Sequence, residues 1–179
     1  MPEVSNIACS ASLLALVRPH LPAEPKPVRA IYFDKSPEKN WRVAWHQDLT
    51  LAVRAAINLP GVGPRSTKDG IPHVQPPDEL LEQMLTVRLH LDAADESNGA
   101  LRVLPGSLRL GRLSAEQIQA LRNERPELLC RVSAGDALLM RPLLLHASGR
   151  STSAAHRRVL HIEYAGFTLP GSLEWHDAA

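Results

Sequence analysis

The chain has 179 residues, 44% hydrophobic and 22% charged, which is an ordinary composition for one globular domain over residues 1–179. A net charge of +1, scattered arginines and 4% aromatic residues exclude an extended basic or base-stacking surface, so we expect no nucleic-acid partner. The two cysteines, Cys9 and Cys130, are too far apart for a disulfide framework or a zinc-binding spacing.

The first predicted element is an apolar stretch over residues 7–17. No lysine or arginine precedes it and Pro19 follows it, so both flanks are wrong for a secretory signal. The stretch is also too short to span a bilayer. We therefore predict a helix that begins near Ser10 or Ser12, a proline-rich connector up to residue 27, a cytoplasmic protein and no membrane partner.

Short runs of β-forming residues recur along the rest of the chain. The predicted strands cover residues 28–35, 41–53, 85–91, 100–104, 128–132, 137–146 and 158–165. A capping box at Ser114 predicts a helix over residues 115–123. Many short strands, few helices and no alternation of strand with helix predict an antiparallel two-sheet sandwich or jelly roll.

Residues 59–77 form a long segment rich in proline and glycine. A loop of this length in a compact domain is typically a lid, a binding loop or a disordered segment. The segment is therefore a candidate lid, and its Lys68 and His73 are candidate substrate contacts.

Three residues are candidate metal ligands, namely His46, Asp48 and His146. His46 and Asp48 lie two residues apart in an extended run, so their side chains point to the same face. His146, about a hundred residues later, could complete the set. Two histidines and one carboxylate hold one face of a non-haem Fe(II) and leave the opposite face open. A His-x-Asp pair alone would be weak evidence, because most such pairs are surface polar residues.

Two further features point toward the same region. A hairpin could bring Arg157 near the metal, where its planar guanidinium would pair with a fixed carboxylate. Thr86, Arg88 and His90 occupy every second position of a predicted strand, so their side chains share one face. That face either looks into the site or is an ordinary exposed strand surface, and the sequence leaves both interpretations open.

Together these residues resemble the phytanoyl-CoA dioxygenase family of Fe(II)/2-oxoglutarate oxygenases over residues 28–165. The resemblance depends on four ordered blocks, which are Trp-His-Gln-Asp at residues 45–48, the segments 98–107 and 135–149, and Arg157. It implies a mostly β fold with a double-stranded β-helix core (a cupin-like jelly roll) and a few flanking helices. It also implies a dioxygenase that uses Fe(II), 2-oxoglutarate and O2 on a small-molecule substrate.

The resemblance assigns roles residue by residue. The implied Fe(II) ligands are His46, Asp48 and His146. The residues implied at the cosubstrate are Arg157, which would pair with the C5 carboxylate, and Ser148, Gln47, Ile31 and Arg88. His90 is a further substrate candidate. Because related halogenases lack the carboxylate of Asp48, the intact set favours hydroxylation over halogenation.

Two other interpretations remain open at this stage. A cupin-like enzyme could use the same ligands without 2-oxoglutarate, and it would need no arginine at the position of Arg157. A catalytically degenerate module of the same fold could keep the metal and lose turnover. The sequence identifies neither the substrate nor the oligomeric state.

Overall fold

The computed structural model describes residues 2–176. Its helices are α1 (Pro2–Ala8), α2 (Ala11–Val17), α3 (Asp78–Leu81) and α4 (Ala115–Glu124), with 3₁₀ turns at Arg18–His20 and Ser107–Leu110. Its strands are β1 (Lys26–Lys35), β2 (Val43–His46), β3 (Leu51–Ala52), β4 (Arg65–Lys68), β5 (Ile71–Val74), β6 (Met84–His90), β7 (Leu101–Val103), β8 (Leu128–Leu129), β9 (Ala137–Met140), β10 (His146–Ser148) and β11 (Arg157–Ala165).

The strands form two four-stranded sheets and one three-stranded sheet, with the orders β1-β11-β6-β9, β2-β10-β7-β8 and β3-β5-β4. Two four-stranded sheets match the eight strands of a jelly roll, so the predicted mostly β fold class is confirmed. By internal contacts the described chain divides into unit one, residues 2–30, 49–87 and 162–176, and unit two, residues 31–48 and 88–161. The single domain predicted over residues 1–179 stays a prediction.

The predicted N-terminal helix is present in unit one as α2, and it begins at Ser10, one of the two predicted caps. The Ser10 hydroxyl accepts a hydrogen bond from the amide of Leu13, which starts α2 and separates it from α1. The helix ends at Val17, and Pro19 lies in the following 3₁₀ turn. None of the helices within residues 2–176 has the length and apolar character needed to cross a membrane.

The segment 59–77 of unit one is not the structureless loop that its composition predicted. Strands β4 and β5 form an antiparallel hairpin in which Lys68 pairs with Ile71, joined by Asp69 and Gly70 at φ values of 51° and 79°. An Asp-Gly pair suits the two-residue turn of a β-hairpin, and this signal was hidden by the surrounding prolines. The loop prediction was therefore wrong, and a role of this hairpin as a lid stays a prediction.

The predicted helix at Ser114 is confirmed in unit two and supports the strands of the site. The Ser114 side chain and backbone both bond to Gln117, which is the predicted capping box. From α4, Leu121 and Ile118 pack with Leu104, Leu145 and Trp45. Burying one such leucine contributes about 1.5–3 kcal/mol. The helix thus holds the residues that immediately precede His46 and His146 in sequence.

The strand predicted over residues 137–146 is instead two strands, β9 and β10, in different sheets. The chain turns between them, where the amide of Leu144 donates to the carbonyl of Arg141 over 3.0 Å. The amide of Asp48 donates to the carbonyl of Pro142 in the same turn over 2.9 Å. The apolar run before His146 is therefore a tight connection that also holds the backbone of Asp48.

Candidate metal centre

Sheet register brings His46 and His146 together in unit two. Strands β2 and β10 are antiparallel neighbours, and His146 is the direct partner of His46 in their register. Directly opposed residues on one face have closely spaced side chains. The two imidazole rings accordingly lie 4.2 Å apart between centroids.

The same backbone contact orients both histidine rings. The Nδ1 of His46 lies 2.8 Å from the carbonyl of Ala44, and the Nδ1 of His146 lies 2.8 Å from the carbonyl of Leu144. A carbonyl only accepts, so each Nδ1 carries a proton, and in its neutral form each ring presents a lone pair at Nε2. Such supporting bonds are what fix the tautomer of a metal-binding histidine.

Asp48 completes the set just beyond the end of β2. Its Oδ1 lies 3.5 Å from the Nε2 of His46, and its Oδ2 lies 3.7 Å from the Nε2 of His146. The Oδ2 is buried and has no hydrogen-bond partner among residues 2–176. One ligand atom from each of the three residues lies within 4.8 Å of the others. This donor set, with an unpartnered carboxylate oxygen, fits a divalent metal ion.

The protonation states also suit metal binding. Burial would by itself raise the pKa of Asp48, but its contact with His46 and the nearby imidazoles of His146 and His161 hold that pKa well below its ordinary value. Burial lowers the pKa of His146 to about 4, and Asp48 opposes this only in part. At neutral pH the set therefore offers a carboxylate and a neutral His146 imidazole, the forms that bind metal.

A cavity of about 90 Å³ adjoins the triad within unit two. The side chains that line it, beside the three candidate ligands, are Phe33, Trp41, Val43, Arg88, Leu101, Ala147, Ser148, Arg157 and His161. Arg157 is only 2% exposed, and its Nε and Nη1 have no hydrogen-bond partner within the described chain. A buried guanidinium with free donors is costly unless an anion completes it, so this wall of the cavity fits a carboxylate.

Lys35 contacts the same wall of the cavity through Ser148. Its buried ammonium donates to the Ser148 hydroxyl over 3.3 Å and to the Gly149 carbonyl over 2.5 Å. Burial and the positive charges of Arg157 and Arg88 lower the pKa of Lys35 to about 8. Because Ser148 accepts from Lys35, its own proton is available to donate toward the cavity.

Gly99 makes this arrangement possible, and its replacement gives a first prediction. A Cβ at Gly99, whose φ is +73°, would lie 2.5 Å from the Gly149 carbonyl oxygen and 3.2 Å from the Lys35 Nζ. Gly99→Ala is expected to lower the free energy of unfolding by about 2 kcal/mol or more, through the left-handed backbone and the clash. Urea denaturation measures this free energy of unfolding. Gly135→Ala, at φ +88° with nothing within 4 Å, is the matched control and should cost less; equal losses would contradict the clash.

The Gln47 side chain is held by hydrogen bonds to backbone groups. Its amide nitrogen donates to the carbonyls of Gly111 and Leu143 over 2.9 and 2.7 Å, and its amide oxygen accepts from Leu113 over 2.9 Å. Every hydrogen-bonding atom of the side chain is thus engaged with backbone. These bonds favour a role in fixing the loop beside the triad over the predicted contact with the cosubstrate.

The remaining predicted site residues do not line the cavity. Ile31 shares a face of β1 with Phe33, which does line it. His90 is 1% exposed with both ring nitrogens unpartnered in the described chain, and burial with nearby Arg88 and Arg157 lowers its pKa to about 4. The other two, Lys68 and His73, belong to unit one, where they bond to Thr50 and to the Ile71 carbonyl.

The alternating polar stripe on β6 is buried, which decides between its two interpretations. Thr86, Arg88 and His90 are 2%, 7% and 1% exposed, and Leu85 and Val87 on the opposite face of β6 are buried as well. An ordinary exposed strand surface is therefore excluded for the polar face. The position of Arg88 in the cavity wall agrees with the prediction that this face looks toward the site.

Sequence reasoning missed Lys35, Phe33, Trp41 and His161. Strand periodicity could have found three of them. Phe33 and Lys35 follow Ile31 at every second position of β1, so the three share one face. His161 follows Arg157 by four residues, so these two share one face of β11. Trp41 lies outside any strand, and no pattern in the sequence marks it.

The solved structures most similar to this chain share its fold. They include AviO1 from Streptomyces viridochromogenes Tue57 (TM-score 0.65, 23% identity, 93% of this chain and 62% of that one) and EctD from S. alaskensis with 2-oxoglutarate and 5-hydroxyectoine (0.68, 18%, 92% and 52%). A third is SnoN, a non-haem α-ketoglutarate-dependent epimerase from nogalamycin biosynthesis (0.65, 15%, 92% and 56%). The chain spans between 32% and 62% of the length of such structures. No curated protein matches it.

A jelly-roll fold that pairs a His-x-Asp set with a distant histidine has the design of the non-haem iron oxygenases. The sequence model of one family, phytanoyl-CoA dioxygenase, matches residues 8–159. The chain therefore belongs to the phytanoyl-CoA dioxygenase family, as its ordered motifs predicted.

Proposed function

We propose that this chain is an Fe(II)/2-oxoglutarate-dependent dioxygenase that hydroxylates a small-molecule substrate and releases succinate and CO2. The observation that carries the proposal is the arrangement of His46, Asp48 and His146. Both imidazoles are held with Nε2 available, and the carboxylate between them has an unpartnered oxygen. The family and the 2-oxoglutarate in the EctD structure support the choice of cosubstrate.

One set of residues would bind the metal, and another would bind the cosubstrate. His46, Asp48 and His146 would hold Fe(II), which with 2-oxoglutarate and O2 supplies the oxidising chemistry. Arg157 would bind the far carboxylate of 2-oxoglutarate, and the Ser148 hydroxyl would donate to the same group. Phe33 and the other apolar residues of the wall would exclude water from the reacting end of the cavity.

Asp48 supports hydroxylation as the outcome. Asp48 would supply a ligand to the metal at a position that a halide would otherwise take, so transfer of oxygen is favoured over transfer of halogen. The similar fold of an epimerase shows that structural likeness alone does not select the reaction. The substrate is proposed only as a small molecule.

The test is anaerobic addition of Fe(II) and 2-oxoglutarate to the purified protein. We expect the weak visible charge-transfer band that forms when 2-oxoglutarate chelates Fe(II), and we expect no band in His46→Ala. In air, slow release of succinate without added substrate would separate an active enzyme from a degenerate module. Iron binding without a band or succinate would instead favour an oxygenase that does not use 2-oxoglutarate.

A further inference from the structure

A second cavity lies within unit one, beside the residues that follow β11. Its volume is about 340 Å³, within the range of about 300–1,000 Å³ that is usual for small-molecule pockets. The side chains that line it are Lys26, Arg54, Phe167, Thr168, Leu169, Leu173, Glu174 and Trp175. Unit one contains all eight, and none of them lines the cavity of the candidate metal centre. The proposed function therefore leaves this second cavity without a role.

Backbone pairing holds the segment that forms most of the second cavity. Directly after β11, the amide of Gly166 donates to the Gln83 carbonyl over 3.0 Å. At the other end of the segment, Trp175 pairs with Val53 in an antiparallel bridge. Because the segment is anchored at both ends, its side chains are already placed around the cavity. A ligand would therefore bind with little further loss of chain entropy.

The apolar wall of the second cavity is largely aromatic. The rings of Phe167 and Trp175 lie 5.7 Å apart between centroids and are tilted by 58°. Trp175 is 8% exposed, and Leu169 and Leu173 complete the wall at 7% each, whereas Phe167 is only half-buried. Tilted aromatic neighbours at this separation attract one another, and a further ring packed on them gains the same contact. The wall therefore suits an aromatic ring system.

The charged side chains of the second cavity leave one positive charge uncompensated. The Nη1 of Arg54 donates to the Glu174 carboxylate over 2.7 Å, so these two residues neutralise each other. Lys26, the exposed first residue of β1, is the third charged residue that lines the cavity. Two cations and one carboxylate give a net charge of +1. The cavity is therefore complementary to a ligand with one negative charge.

From this geometry we infer that the second cavity is a binding site for a small aromatic monocarboxylic acid. Its ring system packs against Phe167 and Trp175, and its carboxylate faces the ammonium of Lys26. A volume at the lower end of the usual range suits a ligand of one or two rings. A single uncompensated charge favours one carboxylate over two. The inference is independent of the proposed function, because the two sites share no residue.

The test is isothermal titration calorimetry of the whole chain with 2-naphthoate and with 2-naphthamide, its uncharged counterpart. We expect saturable binding of one naphthoate per chain, and weaker binding of the amide by about 3-fold or more, because the ion pair with exposed Lys26 contributes modestly. Lys26→Glu should reverse this preference. Arg65→Glu, the same charge reversal at an exposed residue of unit one outside the cavity, is the matched control and should keep it. Phe167→Ala should weaken acid and amide alike, by about 3-fold or more.

Several results would overturn the inference. One is an absence of naphthoate binding, and another is an unchanged naphthoate affinity in either Lys26→Glu or Phe167→Ala. Displacement of naphthoate by an excess of 2-oxoglutarate would also overturn it, because naphthoate would then occupy the candidate metal centre. Sedimentation equilibrium covers the remaining occupant: a dimer that Phe167→Ala dissociates would assign the cavity to a second copy of the chain. Naphthoate binding that persists beside bound 2-oxoglutarate and depends on both residues is the expected result.

Discussion

His146→Ala is expected to abolish detectable Fe(II) binding and, with it, all 2-oxoglutarate turnover. His146 is 4% exposed in β10, between His46 of β2 and Val103 of β7, so no mobile side chain can replace its Nε2. Losing a supporting partner of a metal ligand typically costs about 10- to 100-fold in affinity, and losing the ligand itself should cost more. Anaerobic titration with Fe(II), or with Co(II) as a visible reporter, measures the loss.

A matched control exists in unit one. His73 is also buried, and its Nδ1 lies 2.9 Å from the Ile71 carbonyl, the same contact that orients the candidate ligands. His73→Ala should leave metal affinity unchanged. Because alanine leaves a cavity at position 146, His146→Gln is the second variant, which keeps most of the volume and should still lose the metal. Metal affinity unchanged in both His146 variants would contradict the assignment of the triad.

That the candidate ligands lie close together could be predicted from the sequence, whereas the burial of the polar residues around them could not. His46 and Asp48 were placed on one face by strand periodicity, and the ordered motifs brought in His146. The direct register of His146 with His46 required the antiparallel pairing of β2 with β10, which joins segments a hundred residues apart. Pairing over such a distance depends on the whole sheet, and local patterns do not contain it.

Burial of polar residues could not be predicted from the same patterns. Alternation shows that Arg88 and His90 share a face, but it does not show whether that face is buried or exposed, so both interpretations stayed open. Lys35 ends its strand, and alternation alone does not show whether its side chain is buried. Its burial depends on the Ser148 hydroxyl and the Gly149 carbonyl, which arrive from another part of the chain.

For residues 59–77, turn chemistry is a better guide to the structure than composition. Proline and glycine over residues 59–77 predicted a loop, yet Asp69 and Gly70 form a hairpin turn between β4 and β5. Pro72 is tolerated in β5, and its carbonyl accepts from the amide of Val53 over 2.9 Å. Proline removes only a donor, so a strand that uses its carbonyl can keep it.

Arg157→Met is expected to weaken 2-oxoglutarate binding by about 30-fold or more while Fe(II) affinity is kept. Removing one member of a buried, hydrogen-bonded charge pair typically costs about 2–5 kcal/mol, which corresponds to this range. The Nε and Nη1 of Arg157 are unpartnered in the described chain, so the ligand carboxylate would be their partner. Titration of the Fe(II) protein with 2-oxoglutarate, followed by the charge-transfer band, gives the affinity.

The same substitution should stabilise the ligand-free protein, which distinguishes a binding arginine from a structural one. A buried guanidinium with unpartnered donors destabilises the fold, and an apolar side chain of similar length removes that cost, by about 1 kcal/mol or more. Arg158→Met is the matched control. Arg158 is the next residue of β11, on the opposite face, and its guanidinium bonds to Asp92 over 2.7 and 2.8 Å. That variant should change the stability little, because an exposed ion pair contributes little, and it should leave 2-oxoglutarate affinity unchanged. A lower melting temperature for Arg157→Met with unchanged 2-oxoglutarate affinity would make Arg157 a structural residue and remove it from the site.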